Sequence, residues 1–131
     1  MKKPKKITEK ILDTAYSKYI RNRDSVCQYP LRWPDDYHAG YLQNSHFHGR
    51  SARSTRYDDE NCDAMCGRHH QFLEGRKEAE YKWWKEKQLG KVRLKALEQR
   101  YVKMRPRPPT EIEKREMIEL WKTPIANRSI N

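Results

Sequence analysis

The sequence predicts a mixed, mostly helical α+β domain, and three observations carry that expectation. Apolar residues recur at helical spacing toward both ends of the chain. The middle, by contrast, is broken by Pro30, Pro34, Gly40 and Gly49 into segments too short for helices. That same middle holds all 3 cysteines and all 5 histidines, so whatever chemistry the chain performs is concentrated where its regular structure is thinnest.

Residues 1–7 form a lysine-rich tail expected to stay disordered without a partner. From Thr8, a good N-cap, the residues Ile11, Leu12, Ala15, Tyr16, Tyr19 and Ile20 lie on one helical face, and the pattern stops at Asn22 to Asp24. The opposite face carries Lys10, Lys18 and Arg21. Residues 25–45 read as irregular loop with at most one short strand or hairpin, and Asn44 to Arg56 as loop on either side of a short strand near His46. Met65 to Leu73 has helical character, with Gly75 as its stop signal. Two longer helices follow at about 77–88 and 91–103, separated by Gly90, with Tyr81, Trp84, Leu94, Leu97 and Tyr101 to pack. Met104 to Pro109 is a basic, proline-rich break. Thr110 and Glu113 then make a capping-box pattern for a last helix whose apolar face is Ile112, Met117, Leu120 and Trp121. The organisation expected is a basic tail over 1–7, one domain over 8–104, and a break plus terminal helix over 105–131 that docks on the domain or on another subunit.

A chain of 131 residues with 35% apolar content has a small core and gains from a structural metal or a partner. Its net charge is +11, and the excess is uneven. Residues 1–23 carry 8 basic and 2 acidic side chains, residues 24–70 carry 5 and 7, and residues 71–131 carry 16 and 9. Basic flanks around a slightly acidic centre suit a protein that grips a polyanion and holds a metal between. No stretch approaches the roughly 18 apolar residues of a membrane span, and the lysine-rich start lacks an apolar core, so a cytoplasmic protein without membrane contact is expected. An odd number of cysteines among histidines favours metal ligation over a disulfide from Cys27 to Cys62 or Cys66.

The informative runs are Ser45-His46-Phe47-His48-Gly49-Arg50, then Ser54-Thr55-Arg56-Tyr57-Asp58-Asp59-Glu60-Asn61, then Cys66-Gly67-Arg68-His69-His70. Phosphodiester hydrolysis needs a base to deprotonate water, a cation to meet developing charge, and a frame to hold both. A histidine on a strand, an asparagine in the following loop and a histidine on a helix can supply all three. In these runs, and in Tyr16-Ser17-Lys18-Tyr19-Ile20-Arg21-Asn22-Arg23-Asp24 before the first cysteine, the chain resembles the HNH, or His-Me finger, nucleases. It is most similar to the phage recombination nucleases of the NinG (Rap) type, over about residues 15–100.

The resemblance implies a ββα-metal finger at about 27–75, flanked by helices. It further implies that His46 activates water, that Asn61 orients that imidazole or helps bind the metal, and that His70 ligates a catalytic Mg²⁺ or Mn²⁺. Arg50, Arg53 and Arg56 would lie near the scissile phosphate, where a guanidinium fork suits phosphate oxygens. His48, two residues beyond His46, would face the same way on a strand and is a lesser candidate ligand. The family usually adds a structural Zn²⁺ held by two Cys-x-x-Cys pairs or variants with histidine. Here Cys66 and His69 make the second pair, whereas the partner of Cys27 would be Pro30, which cannot ligate. Either Cys62, His38 or an aspartate such as Asp35 or Asp36 completes the set or the structural metal is absent, and His38 by itself reads as a plain loop histidine. Trp33, Trp83, Trp84 and Trp121 read as core before base-stacking platforms. The basic run Lys85, Lys87, Lys91, Arg93 and Lys95 reads equally as a solvated helix face or a phosphate-tracking groove. The function expected is a phage-encoded endonuclease acting on branched or single-stranded DNA in recombination, repair or replication. The rivals are a non-catalytic zinc-finger-like DNA-binding module and an accessory protein with a decayed nuclease fold.

Overall fold

A computed structural model describes residues 3, 5–76, 78–103 and 106–123. Among them the chain forms five helices and a two-stranded antiparallel sheet, so it is α+β and mostly helical. The order is α1 (Glu9–Asp24), β1 (Leu42–His46), β2 (Cys62–Cys66), α2 (Gly67–Arg76), α3 (Glu78–Leu89), α4 (Lys91–Lys103) and α5 (Glu111–Lys122).

The Thr8 hydroxyl starts α1 by accepting from the Ile11 N–H at 3.2 Å, and Thr110 and Glu113 close a full capping box on α5. Gly90, at φ +81°, makes the left-handed step between α3 and α4 that a side chain would resist. Met65 and Cys66 were expected to begin a helix. They instead end β2, and the helix starts at Gly67 and runs through Gly75 to Arg76. The reason is the pairing of Gln43 with Met65 and Leu42 with Cys66, a long-range ladder that outweighs local helical preference. Met1, Lys2, Pro4, Lys77, Met104, Arg105 and residues 124–131 lie outside the described residues. They take in part of the expected basic tail, part of the proline-rich break and the chain end beyond the last helix.

The hairpin is covered on both faces. Leu42, Cys62 and Ala64 pack on Tyr16, Tyr19 and Ile20 of α1. Met65 and Phe47 pack on the other side with Tyr29, Leu73, Tyr81 and Trp84. On that second side Lys85 is fully buried, its ammonium 2.6 Å from Asp63 and 2.9 Å from Gln88. The tryptophans divide: Trp84 faces the core and Trp121 packs on Tyr16 and Tyr57, holding α5 against α1, but Trp33 and Trp83 are exposed. Trp83 neighbours Trp84 on α3, and a step of about 100° per residue turns it away from the sheet that Trp84 covers.

Gly40 secures the loop between α1 and β1. Its φ is +86°, and a Cβ there would meet the Gly67 backbone at 3.2 Å, so only glycine lets the loop lie on the start of α2. The Arg68 N–H then donates to the Ala39 carbonyl at 3.0 Å, which sets the neighbouring His38 over α2.

Candidate functional site

Four potential ligands from three parts of the chain meet where that loop crosses α2. Cys27 follows α1, His38 sits in the loop, Cys66 ends β2, and His69 is in the first turn of α2; their ligand atoms all lie within 4.8 Å of one another. The His69 Nδ1 is 3.2 Å from the His38 Nδ1, 3.3 Å from the Cys66 Sγ and 3.6 Å from the Cys27 Sγ, and the Cys66 Sγ is 3.8 Å from the His38 Nδ1. A tetrahedral zinc, with bonds of about 2.3 Å to sulfur and 2.0–2.1 Å to nitrogen, places its ligand atoms roughly 3.3–3.8 Å apart. The spacing and the two-sulfur, two-nitrogen chemistry therefore fit a metal such as zinc. Asp36 backs the site by accepting from the His69 Nε2 at 3.0 Å, which leaves the Nδ1 lone pair facing the other three ligands. Burial pushes the Cys27 thiol above its ordinary range, a bias that a bound cation would reverse.

His38, rather than Cys62 or an aspartate, is the fourth donor of the cluster. Cys62 does not join the cluster. It starts β2, four residues and about 13 Å along the strand from Cys66, and its buried thiol, pushed up to about 12 by that burial, points at the Arg56 carbonyl. All three cysteines are free thiols.

His46 ends β1 opposite Cys62, on the side of the sheet that α1 covers. Its Nε2 lies 3.0 Å from the Arg56 carbonyl oxygen, which can only accept, so the Nε2 carries the proton and the Nδ1 keeps its lone pair. Burial lowers the His46 pKa, and the positive charges of Arg50 and Arg56 add to it against the pull of Asp13. The imidazole is a neutral base at pH 7.

Asn61 holds the loop segment that leads into Arg56. Its fully buried amide accepts from the His48 N–H at 2.8 Å and donates to the His48 and Thr55 carbonyls, both at 3.0 Å. The side chain fastens the loop between β1 and β2 to itself, and both its polar atoms are spent on backbone. Arg56 is fixed from the other side by Asp13, Glu9 and the Arg50 carbonyl. Arg50 is 65% exposed and only 3.8 Å from Asp13; with Lys10, Asp13, Arg21 and Arg56 it lines an open cleft of about 520 Å³. Arg53 is exposed on the rim of a neighbouring cavity of about 660 Å³ between the loop and the proline-rich segment.

The remaining expected site residues lie elsewhere. The His70 Nδ1 meets the Gln43 side-chain oxygen and its Nε2 meets Glu74 at 3.1 Å. Gln43 stands three positions before His46 on β1 and opposite Met65, so His70 attaches to the opposite sheet face from His46. His48 does not share the direction of His46, because the strand ends at His46. It stacks on Tyr101 at 3.9 Å instead, and burial lowers its pKa. Lys85, buried against Asp63, has no access to a phosphate backbone, whereas Lys87 and Lys91 are exposed. Among the described residues no helix is long and apolar enough to cross a membrane. Compared with known protein families, curated proteins and solved structures, the chain matches none.

Proposed function

We propose that the chain is an endonuclease of the HNH type that hydrolyses DNA phosphodiester bonds with His46 as general base. The observation that carries this reading is the fixed tautomer of His46. The Arg56 carbonyl locks the proton on Nε2, the buried Asn61 amide holds the carbonyl of the preceding Thr55, and the Nδ1 lone pair takes a proton from water. Arg50 and the cationic cleft beside it supply contacts for the phosphate. The order of the sequence motifs supports the same reading. The Cys27, His38, Cys66 and His69 set would hold a structural zinc that pins the finger.

The catalytic Mg²⁺ or Mn²⁺ that the resemblance implies does not fit a cradle shared by Asn61 and His70. The Asn61 amide is committed to backbone, and the His70 ring is committed to Gln43 and Glu74 on the other face. The same dispersal favours a second reading, a zinc-pinned module that binds DNA without cutting it.

One experiment separates the two. Supercoiled plasmid incubated with the protein and Mg²⁺ or Mn²⁺ should be nicked, and His46→Ala should lower the rate by about 10²–10⁴-fold while DNA binding persists. Absence of nicking with every cation, or equal nicking by His46→Ala, would overturn the nuclease reading and leave the binding module.

A further inference from the structure

We infer that the face carrying Trp33, Trp83 and Tyr37 is a stacking surface for single-stranded nucleic acid, separate from the cleft beside His46 and independent of whether the chain cuts. These rings are 45%, 39% and 58% exposed, in a chain with few large apolar side chains to leave in water. They form one continuous surface. The Arg32 guanidinium lies 5.5 Å from the Trp33 ring and 3.8 Å from the Trp83 ring. Trp33 stands edge-on to Phe72 at 5.9 Å, and Arg68, 4.3 Å from the Tyr37 ring, shares a cavity of about 350 Å³ with Trp33 and Phe72.

Each ring is thus paired with a cation, and both of these cations are themselves tethered, Arg32 by Glu80 and Arg68 by Asp36. Such tethering holds planar surfaces in place before anything binds, which lowers the ordering cost of association. A base has a π-face for an indole and a phosphate for the neighbouring cation, and stacking of this kind tolerates any sequence. Lys87, 5.7 Å from the Trp83 ring, extends the positive edge. Duplex DNA keeps its base faces inside, so this surface selects unpaired strands. An aliphatic protein groove is a poorer match, because the exposed rings of this face are paired with the guanidinium groups of Arg32 and Arg68. The net charge of +11 matches a polyanion.

The test is fluorescence anisotropy of a labelled oligothymidylate with the full chain, without added Mg²⁺ or Mn²⁺. Trp33→Ala and Trp83→Ala should each weaken binding by roughly 5- to 100-fold, with Trp33→Phe restoring most of the loss. The slope of log affinity against log salt should stay that of the parent chain, since no phosphate contact is removed. Oligothymidylate should also quench the exposed tryptophans of the unaltered chain, a readout that does not depend on any variant folding. The inference falls if the alanine variants bind as the parent does, if duplex competes as well as single strand, or if the tryptophans are not quenched. Binding of phosphatidylserine vesicles that needs Trp33 and Trp83, without binding of oligothymidylate, would assign the face to a membrane surface instead.

Discussion

Removing the metal from the Cys27, His38, Cys66 and His69 cluster should unpin the loop over 25–41 before it disturbs the helices. That loop contains no helix or strand. It is held by a few backbone contacts, among them Gln28 to Ala64 and Arg68 to Ala39, by the buried Tyr29, and by the two ligands that it contributes. A ligand that binds only the folded state stabilises by about 4 kcal/mol at a thousandfold excess over its Kd. For a domain of this size that corresponds to a rise in Tm of roughly 12–20 °C. The assay is thermal melting by circular dichroism of protein stripped with chelator and then titrated with Zn²⁺, alongside elemental analysis of the untreated protein. Cys66→Ser should abolish the zinc-dependent rise. Uptake should also weaken as pH falls, because the thiols must lose protons to ligate and burial holds the Cys27 thiol above its ordinary range. Purified protein free of metal, with a melting curve indifferent to zinc, would refute the reasoning and leave four close donors held by packing alone.

Lys85→Met should destabilise by about 3–5 kcal/mol in urea denaturation, since it strands the Asp63 carboxylate in the core. Adding Asp63→Leu should recover most of that loss, and failure to recover would mean that the pair is not the source. Asn61→Ala should cost about 3 kcal/mol by leaving buried backbone groups at His48 and Thr55 unpaired, and it should slow any cleavage by loosening the loop at Thr55, next to Arg56. Cleavage should fall with pH only below the ordinary histidine value of about 6.5, because the His46 pKa is lowered. The same shift means that folding stability is present above 6.5 and is lost as pH drops through the folded-state value. A rate that already declines at higher pH would exclude His46 as the titrating base. His70→Ala should retain cleavage within about tenfold while His46→Ala does not, and equal losses would show that both imidazoles serve one cation.

The helices were legible because each is written locally. Thr8 and Thr110 cap α1 and α5 as their spacing suggests, and Gly90 parts α3 from α4. The second strand was not legible. Cys62 to Cys66 mixes Asp63 with apolar residues and does not alternate, since the segment is buried on both faces and its aspartate is neutralised by Lys85, 22 residues away. The fourth potential ligand was narrowed only to Cys62, His38 or an aspartate, for a similar reason. His38 lies 11 residues beyond Cys27 in a loop without periodicity, and only the close contact of Gly40 with Gly67 brings it to α2. The exposed Trp83 shows the limit of composition as a guide. Adjacent tryptophans on one helix cannot both face a narrow sheet, and the helical spacing that marked Trp84 with Tyr81 for packing already left Trp83 off that face.

Both faces of the hairpin are covered, but they are covered for different ends. On the α1 side, polar side chains hold an imidazole and a loop carbonyl in register: Asp13 takes Arg56 and Tyr57, and Asp59 takes the Tyr16 and Tyr19 hydroxyls. On the other side the core is sealed by aromatic packing and by a buried lysine and aspartate, and beyond it lie the metal cluster and the exposed indoles. A buried ion pair is a poor source of net stability, so its value here lies in register: Asp63 satisfied by Lys85 and Gln88 tolerates only one alignment of β2 under α3. A slip of one residue would exchange the two faces, moving Asp63 toward the tyrosines and Ala64 toward Lys85. It would also displace Cys66 from His69 and Cys62 from its place opposite His46. The alignment that brings the four potential metal donors together is therefore the same one that fixes the His46 imidazole, and the two ends of a five-residue strand are coupled through the charge pair at its centre.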